Sequence, residues 1–85
     1  MKTASEQLVS LAETMAAHQG VTHWAISMRY TSKGDYFARK KRVGAKVDAD
    51  MFARLLQSFS NDWPADLEWP ADIPRPEPQA KEAAQ

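Results

Sequence analysis

The residues whose types and spacing bear most directly on chemistry are four consecutive cations, Arg39-Lys40-Lys41-Arg42, near the end of a segment with a glycine at each boundary, Gly34 and Gly44. Guanidinium and ammonium groups crowded together repel one another and gain most where they displace counterions from a polyanion, so phosphate is the ligand such a run suits. The residues just before it, Asp35-Tyr36-Phe37-Ala38, are largely apolar. The segment therefore reads as a short amphipathic helix with one side on a domain and the other toward phosphate. From Arg29 to Lys46 there are seven bases against one acid, a net of +6; from Asn61 onward six acids face two bases, a net of −4. The formal charge of zero hides this division, and a partner at close range meets the local field and not the sum.

Other chemistry finds little support. With no cysteine there is neither a thiolate nucleophile nor a disulfide framework. The chain has no glycine-rich phosphate cradle, and its two histidines, His18 and His23, flank a glycine without sharing a clear helix face, so neither a metal site nor a cofactor is expected. Ser58 and Ser60 stand near Asp62 with no histidine at hand and read as surface or capping serines. The expectation is a protein that is not an enzyme. No apolar run approaches the roughly 18 residues of a spanning helix, and the first residues carry an acid where a signal peptide would be apolar, which suggests a cytoplasmic, nucleoid-associated protein.

The elements that must position the basic run are helical. At 85 residues the chain holds one small domain that needs most of its apolar side chains inside. Thr3-Ala4-Ser5-Glu6 has capping-box spacing; Leu8, Leu11, Ala12 and Met15 follow at i, i+3, i+4 and i+7, and Gly20 supplies a stop, giving a first helix over residues 4–18. Thr22 caps a second helix, with Val21 able to staple its entry and Trp24, Ala25 and Met28 at helical spacing, ending near Tyr30. The turn Thr31-Ser32-Lys33-Gly34 leads to a third helix, capped by Ser32 or Asp35 and running through Arg42 to Gly44. Asp48 caps a fourth, whose stripe is Met51, Phe52, Leu55, Leu56 and Phe59, with Val47 as a staple to Phe52. Met15, Met28 and Met51 are expected in the core.

Beyond the fourth helix, Trp63-Pro64-Ala65-Asp66 recurs as Trp69-Pro70-Ala71-Asp72, and five prolines exclude long helix. The expected fold is all-α, a small four- to five-helix bundle containing a helix-turn-helix, with an irregular Trp/Pro-rich strap. Residues 1–73 form the domain and residues 74–85 a disordered tail.

The order of these helices, with a tight turn before a basic third helix, resembles the helix-turn-helix domain of phage-repressor-like transcription regulators. The residues carrying it are Gly20-Val21-Thr22-His23-Trp24-Ala25 for the first motif helix and Asp35 to Gly44 for the second, where Phe37, Ala38, Arg39 and Gly44 match the family's buried, small, arginine and closing-glycine positions. The usual turn glycine is replaced by Tyr30, and Lys40 stands where the family generally has an apolar residue. The Trp-Pro ending looks like that of small uncharacterised bacterial and prophage proteins.

The expected function is sequence-specific binding of double-stranded DNA, as a regulator of transcription of bacterial or prophage type. Lys33, Asp35, Tyr36 and Arg39 would meet base edges, with Ser32 at the turn beside them. Lys40, Lys41, Arg42 and Lys46 would hold phosphates, and Thr22 and His23 would offer a helix start to another. So small a contact would call for a homodimer or a protein partner such as RNA polymerase. The alternative is a protein-binding adaptor or antitoxin-like protein that grips its partner with the Trp-Pro segment and the fourth helix.

Overall fold

A computed structural model describes residues 2–42 and 44–78; residues 79–85, part of the expected disordered tail, lie outside the described residues. Four helices follow one another, α1 (Ala4–Gln19), α2 (His23–Thr31), α3 (Tyr36–Lys40) and α4 (Ala49–Asp62), with no strand among the described residues.

The two long helices form for the reasons their ends advertise. At the start of α1 the Glu6 amide donates to the Thr3 hydroxyl at 3.2 Å while the Thr3 amide donates to the Glu6 carboxylate at 2.9 Å, so two backbone donors that no helix turn can satisfy are both partnered. At its end Gly20 turns left-handed at φ 69°, where a side chain would be strained, and the Val21 amide reaches back to the Ala16 carbonyl at 3.0 Å. Leu8, Leu11, Ala12 and Met15 are fully enclosed. For α4, the Asp48 carboxylate accepts from the amides of Asp50 and Met51. Pro64 ends that helix by holding Trp63 in extended conformation (φ −64°, ψ 130°).

The other two helices differ from expectation. On α2 the inward residues are Ile26 and Ser27, flanked by the half-buried His23 and Tyr30, while Trp24 and Met28 face outward at 56% and 48% exposure. Met28 is therefore not a core residue. The register His23, Ile26, Ser27, Tyr30 has the same helical spacing as the apolar one, and it wins because it brings Tyr30 onto Phe59 of α4, with ring centroids 4.8 Å apart. The second correction is to α3, which stops at Lys40 and not at Arg42: Lys41 already closes it with a tighter bond to the Ala38 carbonyl, and Gly44 (φ 80°) belongs to the loop beyond.

Phe37 of α3, Phe59 of α4 and Trp63 form a chain of ring contacts, at 5.8 Å and then 6.5 Å, and Trp69 continues it at 4.9 Å. The repeated Trp-Pro units repeat in structure as well. Each indole N–H donates to the carbonyl four residues on, Trp63 to Leu67 at 2.9 Å and Trp69 to Ile73 at 2.7 Å, and in each unit a turn follows the proline. Ile73 is buried. Residues 75–77 of the expected tail make contacts with α4 and Trp69. The Arg75 guanidinium lies over Trp69 and donates to the Ser60 hydroxyl and carbonyl at 3.1 and 2.9 Å, and Gln57 donates to the Glu77 carbonyl. Ser60, which also donates to the Pro76 carbonyl, is thus a buried anchor and not a surface serine.

Ser60→Ala should cost about 1–3 kcal/mol in urea denaturation, because the Pro76 carbonyl loses its donor and the guanidinium one of its two acceptors on Ser60, whereas Ser58→Ala should stay within about 0.5 kcal/mol. Equal effects of the two would remove the anchoring role.

The Tyr30 hydroxyl donates to the Asp62 carboxylate at 2.9 Å, and burial, then that hydrogen bond and the carboxylate's charge, push the phenol's pKa well above its ordinary value. A raised folded-state pKa means that this contribution to stability is whole below about pH 10, where the unfolded chain's tyrosine keeps its proton, and drains away as pH rises further. Tyr30→Phe should therefore lower stability at neutral pH yet flatten the alkaline loss; parallel stability curves for the two proteins from pH 8 to 11 would contradict this.

Candidate nucleic-acid interface

The turn between α2 and α3 is built by hydroxyl groups. Ser27, fully buried on α2, accepts from the Phe37 amide at 3.3 Å, which supplies the short α3 with a partner that Asp35, at its cap position, does not provide through its side chain. Thr31 adds a clasp one turn on, its hydroxyl accepting from the Lys33 amide at 3.1 Å. Ser32 takes the left-handed conformation (φ 65°), which is uncommon for a residue other than glycine. Past α3, the loop returns to α1, where the buried Ser5 hydroxyl donates to the Ala45 carbonyl at 3.1 Å, and Lys40 spans the loop to the Lys46 carbonyl at 2.6 Å.

These ties shape a concavity of about 200 Å³ lined by Lys33, Tyr36, Arg39, Lys40, Arg42, Ala45 and Lys46. Five of those residues are cations and none is an acid. Lys40 lies over the Tyr36 ring, 5.2 Å from its centroid, which holds the ammonium in place without cancelling its charge. The Tyr36 phenol is raised in pKa by burial and then by Asp48, the cap of α4, so it stands in the pocket as a neutral donor. A concavity walled by five cations presents a positive field that would attract an anion.

Of the residues singled out from sequence, the structure brings Lys33, Tyr36, Arg39, Lys40, Arg42 and Lys46 together. Lys41, the residue that closes α3, pairs with Glu13 of α1 at 2.8 Å and does not line the pocket. Thr22 caps α2 by accepting from the Ala25 amide, and neither it nor His23, whose Nδ1 is enclosed without a hydrogen-bond partner, lines the pocket. Ser32 and Asp35 are exposed at its approach but do not line it.

Two features escaped the sequence reading. Ser5 and Ser27 carry the loop geometry, and a single hydroxyl inside a helical pattern leaves no periodic signal. The outward Val21, Trp24 and Met28 give α2 an apolar exposed side. No group of three or more metal-ligating side chains is assembled among the described residues, nor is any of their helices long and apolar enough to cross a membrane. No family model matches this chain, and no curated protein or solved structure was found to resemble it.

Proposed function

We propose that this protein binds double-stranded DNA through the pocket at the end of α3, as a regulator of transcription would. The observation that carries the reading is the gathering of five cations around one concavity whose described lining contains no acid, in a chain whose total charge is zero. Enough acids exist to neutralise the pocket, and elsewhere they do such work, at Lys41 with Glu13 and at Lys2 with Asp72. A cluster left without that compensation is suited to a polyanion. Lys33, Lys40, Arg42 and Lys46 hold phosphates and set register, while Arg39, exposed on α3, is the side chain placed to reach a guanine edge. A five-residue α3 covers about 7.5 Å of groove, so affinity rests mainly on the backbone, and specific binding calls for a second copy or a partner. The adaptor reading has less support at the place first considered for it, because Trp63 is buried and both indole N–H groups are spent inside the chain.

Titration of fluorescent duplexes at several salt concentrations tests this. Affinity should fall steeply with salt; Arg42→Ala should lower the slope by about 1, whereas Lys41→Ala, whose cation is engaged by Glu13, should change it little. Arg39→Ala should cost about 1–3 kcal/mol on a preferred duplex and less on a scrambled one. A wild-type protein with no salt-dependent affinity for any duplex would end the DNA reading.

A further inference from the structure

Beside the basic pocket lies an aromatic surface that the phosphate contacts do not use. Trp24 is 56% exposed, and its neighbours on the outer side of α2, Val21 and Met28, are exposed as well. The ring is nevertheless not loose. A Cβ built on Gly34 would fall 2.1 Å from Trp24 Cε2, 2.3 Å from Cζ2 and 2.5 Å from Cδ2. These are three consecutive atoms of the benzo ring, and a point that close to all three lies over the ring's face, not beyond its edge. One face of the indole therefore rests flat on the backbone at Gly34, which has to be glycine for that reason and not for its own dihedral angles. Gly34 directly follows Lys33, a wall of the basic pocket, so the Cα atoms of the ring's seat and of that wall stand about 3.8 Å apart.

We infer that Trp24 is a stacking platform for an unpaired nucleic-acid base whose neighbouring phosphates occupy the Lys33–Lys46 pocket, so that the strand bound best is one with an unstacked base beside the phosphate contact. This rests on the phosphate reading of that pocket and adds the base to it. A seated indole with exposed surface loses little freedom when a base stacks on it, and every base has a π face to offer. Charge favours this occupant over a protein: the ring is seated on the residue next to Lys33, one of the pocket's five cations, and a strand supplies π face and negative charge in alternation. Duplex DNA can use the pocket alone, since its bases are already stacked on one another. The two readings therefore make different demands on one protein.

The test uses the full chain and three probes measured by fluorescence anisotropy: an oligothymidylate of about 12 nucleotides, the same length of strand with every base removed from its central third, and a blunt fully paired duplex. The wild type should bind the intact strand about tenfold or more tightly than the partly abasic one; Trp24→Ala should erase that preference, Trp24→Phe should restore part of it, and duplex affinity should be nearly untouched by either. Gly34→Ala, which lifts the ring from its seat, should weaken strand binding in the same direction. Equal binding of the intact and abasic strands by the wild type overturns the inference whatever the variants do, and leaves the phosphate reading standing if the duplex still binds in a salt-dependent way. No salt-dependent binding of any probe overturns both. Should Trp24→Ala instead abolish a concentration-dependent self-association without altering strand preference, the α2 face is a protein interface and the platform is rejected.

Discussion

Phe59 is the residue on which the arrangement turns. It sits on α4 with no exposed surface, and its ring meets Tyr30 of α2, Phe37 of α3 and Trp63 of the segment that follows. A domain of this size buries too little surface to maintain separate clusters, so one aromatic side chain meeting α2, α3 and the C-terminal segment at once is an economical way to make burial cooperative. The basic pocket inherits its position from this contact. Phe37 is the buried residue of α3, its ring is held 5.8 Å from Phe59, and Tyr36 packs edge-on against it at 5.2 Å, so the side chains to either side of Phe37 are oriented by the core although they bind nothing there.

What hydrophobic packing does for the helices, buried hydroxyls do for the chain between them. Ser5, Ser27 and Ser60 are the buried polar residues of the described chain, and each ties a helix to another part of the chain: Ser5 to the loop at Ala45, Ser27 to the first turn of α3, and Ser60 to residues 75 and 76. A buried backbone group without a partner costs on the order of 1–3 kcal/mol, which is a large share of what a small domain has to spare. Short connections with unusual geometry become tolerable because a serine at the right turn of a neighbouring helix accepts or donates what the loop leaves over. The same device fixes the pocket from both ends, Ser27 ahead of α3 and Ser5 behind it.

How much of this could be read from the sequence follows from which forces are local. The caps of α1 and α4 and their apolar stripes are local signals, a side chain bonding three residues away and side chains repeating every third or fourth residue; both helices begin where those caps put them, and α1 ends within a residue of the expected place. For α2 the pattern admitted two registers. Trp24 and Met28 marked the more apolar one, and the choice of the other depended on Phe59, nearly thirty residues further along from Tyr30. The end of α3 was misplaced for a related reason: Arg39 to Arg42 all have good helix propensity, but the loop to Lys46 pulls the chain away once Phe37 is buried, and propensity yields to tertiary ties. The clustering of basic residues was visible as charge density, whereas the departure of Lys41 toward Glu13 required knowing that α1 lies on that side.

The distribution of charge carries the remaining step. Acids and bases are equal in number, yet the ion pairs seen among the described residues, Lys2 with Asp72 and Lys41 with Glu13, lie outside the basic pocket, as does the contact of His18 with Asp66. Exposed pairs of this kind contribute little to stability, so their value is better sought in what they do to the field. They remove charge from the sides of the molecule where α1 meets the C-terminal segment and where Lys41 departs, and they leave the cations of Lys33, Arg39, Lys40, Arg42 and Lys46 converging on one concavity. Mutual repulsion among those groups raises the energy of the empty pocket, and an anion entering it relieves that repulsion as well as gaining its own attraction. A neutral chain thereby acquires a directional positive face, held in shape by one phenylalanine and two serines.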